Sequence, residues 1–302
     1  MNKYLIFFCF TALSLSAQKK VAITIDDVPN VWIKEKSDSK FLKLLDSLDI
    51  PVAIFINEGH LNKTETFAEN LTLLENWIRK PYVTTGNHTF NHLHYSESTL
   101  ENYKEEVIKG EEHTRRLSDK HRKKLEYFRF PFNDLGADSL QHAQILAFLQ
   151  SKKYINTPFS VESSDWMFNG LYEHYLKKGD LVSARRVADK YVSHTLEQFS
   201  FFEKISEELY GRQISHIYLC HDNRLNTDYL SQITRTLQNR NYTFVSLKES
   251  LKDKIYNSKD HFKGKWGFSW VYRWIKEPAE RSRLMKREPS IAEIEKEFEG
   301  MR

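Results

Sequence analysis

Two adjacent carboxylates, Asp26 and Asp27, and two histidines four residues apart, His88 and His92, are the residue types from which a hydrolytic metal site is built. Two imidazoles so spaced can share one face of a helical turn and close on one cation. A carboxylate from another strand end makes three protein ligands and leaves a position open for water, as a catalytic zinc site requires. A second carboxylate beside the cation can take a proton from that water. Taken alone, a His-x-x-x-His pair more often marks two surface histidines on a helix, so the pair needs support from the rest of the chain.

Residues 21–25 form an apolar, β-rich run that ends in the two carboxylates, and residues 52–56 read as a second buried strand. Residues 82–86 precede His88, residues 127–130 end at Pro131, residues 154–159 are extended, residues 214–220 end at His221, and residues 242–245 make a last strand. Helices are expected over residues 39–48, 64–79, 139–152, 183–209 and 228–240, with a further one opened by the capping box Ser98-Thr99-Leu100-Glu101 and running to about Leu117. Strands alternating with helices argue for a parallel sheet or barrel. The polar residues of interest fall just after strand ends, the face on which α/β barrels build sites.

Three further segments hold the same kind of position: Phe128-Arg129-Phe130-Pro131-Phe132, Glu162-Ser163-Ser164-Asp165-Trp166 and Leu219-Cys220-His221. With Thr24-Ile25-Asp26-Asp27-Val28-Pro29 and His88-Thr89-Phe90-Asn91-His92, their order resembles the five motifs of the polysaccharide deacetylase family, also called NodB-like or carbohydrate esterase family 4, over about residues 20–251. The resemblance implies an α/β fold, a distorted (β/α) barrel, here with a C-terminal helical appendix. It implies a metal-dependent hydrolase that removes N-acetyl groups from amino sugars of an acetylated polysaccharide or oligosaccharide and releases acetate. Asp27, His88 and His92 would hold a divalent metal, with Zn²⁺ the expected ion, and Asp26 would be the general base. Arg129 would hold that base in place. Pro131 would shape the groove, and the backbone N–H of Phe132 would help to stabilise the oxyanion. Trp166 and Leu219 would form an apolar slot for the acetyl methyl. His221 would be the general acid, polarised by the acidic residue four before the tryptophan; that position is Glu162 here, and Asp165 could share or take its role. Val28 and Asn133 replace glycines common in the family, and the stretch between Trp166 and Leu219 is long for it. Two other readings stay open: an O-acetyl glycan esterase on the same site, and a non-catalytic glycan-binding protein on a retained barrel.

The bland reading holds for most other histidines, with His94, two past His92, the exception. Trp266, Trp270, Tyr272 and Trp274 could be a sugar platform or could pin a C-terminal segment to the core. Lys and Arg outnumber Asp and Glu by 45 to 41 in 302 residues, which gives no argument for a nucleic-acid partner. No protein partner is implied. Lys3, the apolar residues 5–15 and Ser14-Leu15-Ser16-Ala17 read as a secretory signal over residues 1–17, cleaved near Ala17, too short to leave a stable membrane span. The exported, periplasmic or secreted chain would then carry a deacetylase domain over residues 18–251 and an extension over residues 252–302. Cys220 would be its one cysteine, so no internal disulfide could form.

Overall fold

The computed structural model describes residues 18–301; the expected signal segment lies outside the described residues. Seven parallel strands alternate with helices. In chain order they are β1 (Lys19–Val28), α1 (Lys40–Leu48), β2 (Val52–Ile56), α2 (Phe67–Ile78), β3 (Val83–Asn87), α3 (Leu100–Lys109), α4 (Glu112–Lys120), β4 (Tyr127–Phe128), α5 (Ser139–Ser151), β5 (Ile155–Asn156), α6 (Asp165–Lys177), α7 (Leu181–Tyr210), β6 (His216–His221), α8 (Arg224–Asn239) and β7 (Tyr242–Phe244), followed by α9 (Leu247–Ser250), α10 (Trp270–Arg273), α11 (Pro278–Met285) and α12 (Ala292–Met301). The sheet order is β5-β4-β3-β2-β1-β6, with β7 paired to the start of β1. Past β5 the chain runs on to meet β6, where Ser160 N–H donates to the Ile217 carbonyl at 2.9 Å and Leu219 N–H to the Val161 carbonyl at 2.9 Å. The curled sheet thereby closes on itself as a distorted barrel.

Strand alternation sorts the side chains onto two faces. Ala22, Ala53, Phe55, Tyr127, Phe159, Ile217 and Leu219 fill a small inner core. Val21, Ile23, Ile25, Ile54, Tyr218 and Cys220 face the helical layer. Thr24, Asp26 and His221 share the parity of the inner set, which carries the polar residues up the inside of the barrel to its C-terminal rim. Cys220 is fully buried on the opposite face, so it is no nucleophile of that site.

Caps account for several helix starts: Ser39 accepts from Leu42 N–H, Asp138 from the amides of Leu140 and Gln141, and Asn223 from Asn226 N–H. The expected continuous helix from Ser98 differs in two ways. Thr99, not Ser98, is its cap, and the chain breaks into α3 and α4 around Gly110. A Cβ at Gly110 would lie 2.6–2.8 Å from the backbone of Thr89 and Phe90, so the break is where the loop between His88 and His92 presses on the helix. Helix α6 was not expected from the sequence.

The C-terminal extension is packed, not trailing. Residues 266–274 form a strap across the rim, in which Trp270 N–H donates to the Phe159 carbonyl at 2.9 Å and the Ser269 hydroxyl to the Ser160 carbonyl at 2.7 Å. Trp270, Tyr272 and Trp274 are buried, and Arg273, fully buried, pairs with Asp260 at 2.6 Å. The charged tail buries Leu284 and Ile294 and sets Phe298 edge-on against Trp166. Among the described residues no helix is long and apolar enough to cross a membrane.

Candidate metal centre and active site

Asp27 sits at a bulge of β1, where the pairing register slips between Ile25 and Val28, with φ at 62° in the left-handed region. A regular strand would send Asp26 and Asp27 to opposite faces. Here both turn toward one imidazole: His88 Nε2 lies 3.7 Å from Asp26 Oδ2 and 3.8 Å from Asp27 Oδ1. His92 Nε2 lies 3.5 Å from the same Asp27 oxygen. The three candidate ligand atoms of Asp27, His88 and His92 all fall within 4.8 Å of one another.

The histidines converge without the helical turn expected from their spacing. His88 directly follows β3, and the loop returns His92 through left-handed residues, Thr89 at φ 67° and His92 at φ 58°. The loop is tied at several points: Thr89 N–H donates to Asn87 Oδ1, His92 N–H to Thr89 Oγ1, and Asn91 donates twice to the Glu106 carboxylate. His88 Nδ1 lies 2.7 Å from the Arg129 carbonyl, an acceptor only, so Nδ1 carries the proton and the Nε2 lone pair faces Asp27.

The donor set suits a divalent cation. Asp27 Oδ1 is buried with no hydrogen-bond partner, an arrangement that is costly unless a cation completes it. Burial opposes ionisation of Asp27, but in acid the protonated forms of His92, His221 and His88 outweigh it and hold the carboxyl well below the usual range. Burial lowers the pKa of His88 to about 4 and also lowers that of His92, so both imidazoles are neutral and can ligate. Two neutral imidazoles and one carboxylate is the ligand chemistry of zinc and of several other divalent ions.

Two further ionisable side chains flank this set, each held by its own partner. Asp26 Oδ1 accepts from Arg129 Nη1 at 2.8 Å, and the same nitrogen donates to Thr24 Oγ1 at 2.7 Å. Arg129 and Asp26 are both buried, with the guanidinium 4.2 Å over the Phe55 ring. On the other side His221 Nδ1 meets Asp165 Oδ1 at 2.6 Å, which leaves Nε2 as the imidazole's free nitrogen. Burial alone would lower the pKa of His221, but the Asp165 carboxylate, with Asp27 and Asp26 nearby, raises it to about 10.

The partner of His221 is therefore Asp165 and not Glu162. Ser164 in the left-handed region (φ 52°) turns the chain so that Asp165 opens α6 toward β6. Glu162 instead accepts from Ser164 N–H at 2.8 Å, and burial raises its pKa to about 7. Residues outside the sequence expectation complete the Asp165 shell: Asn223 and Asn226 donate to Oδ2 at 2.9 and 2.5 Å, and Tyr191 of α7 donates to Asn226 Oδ1. Asn223 and Asn226 lie just past the His221 segment, and that proximity was the one signal available. Tyr191 offered none beyond its helical face.

Residues 15–150 match the family model described as polysaccharide deacetylase. Over that stretch the chain belongs to the polysaccharide deacetylase family. Among solved structures it is similar to a family 4 carbohydrate esterase pseudoenzyme from Bacillus anthracis at 14% identity, covering 78% of this chain and 66% of that one with a TM-score of 0.53. A peptidoglycan N-acetylglucosamine deacetylase gives 17% identity, 78% and 88% coverage and a TM-score of 0.52. A family 4 carbohydrate esterase from Streptomyces lividans, solved with acetate, gives 15% identity, 78% and 96% coverage and a TM-score of 0.52. At such identities these likenesses speak for the fold. No curated protein matches the sequence.

The departures from the deacetylase pattern now have structural settings. Asn133 has φ at 50°, a conformation glycine or asparagine tolerates best, and its side chain clips the strap, accepting from Trp270 Nε1 at 3.0 Å and donating to the Phe268 carbonyl at 2.9 Å. Phe132, at φ 56°, is exposed at the rim with its ring 4.5 Å from that of His92, and buried Pro131 precedes it. Leu219 is buried on the inner face below His221. Trp166 is half exposed on the first turn of α6. The long stretch between Trp166 and Leu219 is α6 and α7, whose buried faces belong to the main core.

Proposed function

We propose that this protein is a metal-dependent hydrolase that removes N-acetyl groups from the amino sugars of a polysaccharide and releases acetate. The observation that carries the reading is the buried, partnerless Asp27 Oδ1 within reach of two neutral imidazoles, flanked by a carboxylate and an imidazole that have separate anchors.

Asp27, His88 and His92 would hold the cation. When bound, it supplies Lewis-acid polarisation of the acetyl carbonyl and a water of lowered pKa. Asp26, with one oxygen fixed by Arg129, presents its other oxygen to the site and accepts the proton from water. His221, held at Nδ1 by Asp165, gives a proton from Nε2 to the leaving sugar nitrogen. The Phe132 backbone N–H at the rim would assist the oxyanion. Trp166 and Leu219 would line the methyl slot, and Pro131 would shape the groove.

The same groups would serve an O-acetyl ester, because the carbonyl chemistry is shared and only the leaving atom differs. A glycan binder without turnover has no need of Asp26 on Arg129 or of His221 on Asp165, which favours catalysis. Residues 1–17 support export to the periplasm or the exterior, and β1 begins at Lys19, so cleavage near Ala17 would leave the barrel whole.

The test is acetate release from N-acetylated and O-acetylated oligosaccharides by protein stripped with chelator and reloaded with Zn²⁺ or another divalent ion. Metal-restored release from the N-acetyl series supports the reading. Release from O-acetyl substrates alone moves it to an esterase. Tight glycan binding with no release under any metal ends it.

A further inference from the structure

Trp266 is 56% exposed on a backbone with φ at 65°, a conformation that costs a bulky residue energy. It is not exposed for want of a core, since Trp270, Tyr272 and Trp274 of the same strap are buried. The strap fixes it there. Asn133 bonds to the Phe268 carbonyl and the Trp270 indole on one side of it, and Gly267 lies so close that a Cβ would meet Asn133 Cβ at 2.3 Å. The Trp266 ring is centred 5.1 Å from His94. His94 lies face to face on Phe132 at 3.6 Å, and Phe132 meets the edge of His92 at 4.5 Å. A continuous run of rings thus leads from the exposed indole to the candidate metal ligands.

The geometry points to Trp266 as a sugar-stacking residue supplied by the C-terminal extension, holding a unit of the glycan next to the one that carries the acetyl group. Pyranose rings present apolar C–H faces bounded by hydroxyls, and a flat, exposed indole matches such a face. The run of rings ends at the reacting position, so its outer end meets the neighbouring unit of a chain. The inference rests on the proposed glycan hydrolase and makes it selective for polymer over single sugars.

The test compares Trp266→Ala and Trp266→Phe with the unaltered protein on N-acetylglucosamine oligomers of one to five units and on acetylated xylo-oligosaccharides. Acetate release and binding by calorimetry are both measured, and thermal unfolding serves as the folding control. For chains of three or more units, KM or Kd is expected to rise about five- to ten-fold in Trp266→Ala, with much of it recovered in Trp266→Phe and a smaller change for the single sugar. A loss equal at all chain lengths, or no change at any, overturns the inference. Chain-length-dependent binding that needs Trp266, found without any acetate release, upholds the inference and overturns the catalytic reading. Neither binding nor release by a folded, metal-loaded protein overturns both.

Discussion

Asp165 holds His221 twice, through Oδ1 to the imidazole Nδ1 at 2.6 Å and through Oδ2 to the backbone N–H at 2.8 Å. A carboxylate so placed fixes the ring, its tautomer and its charge together. Asp165→Asn is expected to lower kcat on the active substrate by roughly a hundred-fold or more, the usual scale for a positioned acid. Glu162→Gln should leave kcat within about two-fold, because Glu162 touches the Ser164 amide and not the imidazole. Steady-state rates of the two variants decide between the carboxylates, and equal losses would return Glu162 to the proton relay.

Glu162 has a different signature, in stability against pH. Burial raises its pKa from the ordinary 4.5 to about 7, so the folded chain binds a proton there that the unfolded chain has already lost. Its contribution is fully present below about 4.5 and is lost as the pH rises toward about 7. Glutamine carries no such proton. The melting temperature of Glu162→Gln relative to the unaltered protein should therefore rise between those pH values and level off above them. A difference that stays flat across the window would mean that burial does not control this group.

The fold was legible because its signals are local. Val52–Ile56 is an uninterrupted apolar run, Ser39 and Thr99 are caps, and the strand-end placement of the acidic and histidine segments follows from alternation of strand and helix. The convergence of Asp27, His88 and His92 was legible too, but its geometry was not. The spacing of His88 and His92 suggested a helical turn, whereas left-handed residues at Thr89 and His92 bring them together. The bulge at Asp27 turns two neighbouring carboxylates toward one imidazole, against strand parity. Ser164 hands His221 to Asp165 in the same way. Non-glycine residues in the left-handed region leave no mark in the sequence, and tertiary contacts stabilise them. Helix α6 starts irregularly, from Ser164 in the left-handed region with no side-chain cap hydrogen bond, so the usual capping pattern does not mark it.

Gly110 links the helical layer to the loop that carries His88 and His92. Replacing it with alanine puts a Cβ within 2.6–2.8 Å of the Thr89 and Phe90 backbone, which cannot yield as a side chain could. Gly110→Ala should cost about 1–3 kcal/mol of stability in urea unfolding. It should also weaken zinc affinity, because the displaced segment carries His92. Unchanged affinity with the full stability loss would show that the loop and the ligand move independently.

Arg129 is a buried charge that pairs with the Asp26 carboxylate, and it also bonds to Thr24 and to the Thr157 and Pro158 carbonyls. Arg129→Met fills similar volume but strands the Asp26 carboxylate inside the barrel. Loss of one member of a buried pair costs on the order of 3–5 kcal/mol, and denaturant midpoints should report it. The double variant with Asp26→Leu should recover much of that stability while remaining inactive, since no unpaired charge is left. A double variant no more stable than Arg129→Met would mean that the packing of Arg129 on Phe55 matters more than its charge.

Asp26 and Asp27 face the same imidazole, so only their other partners assign them different work. Asp27 Oδ1 is buried without a partner and lies 3.5 Å from His92, which suits it to a cation. Asp26 already has Arg129 on one oxygen, which leaves its other oxygen for a proton. Asp27→Ala removes one of three candidate ligands and should weaken zinc affinity severely, measured by competition with a chromogenic chelator, with activity falling alongside. Asp26→Asn keeps the shape and should keep the metal, while turnover falls by roughly a hundred-fold or more. It also leaves Arg129 without a carboxylate, so a lower melting temperature should accompany the loss of rate, and both readings belong at a temperature where the variant is fully folded. If Asp26→Asn loses the metal and Asp27→Ala keeps it, the roles are reversed. If both folded variants turn over at near-normal rates, the deacetylase mechanism does not operate in this barrel.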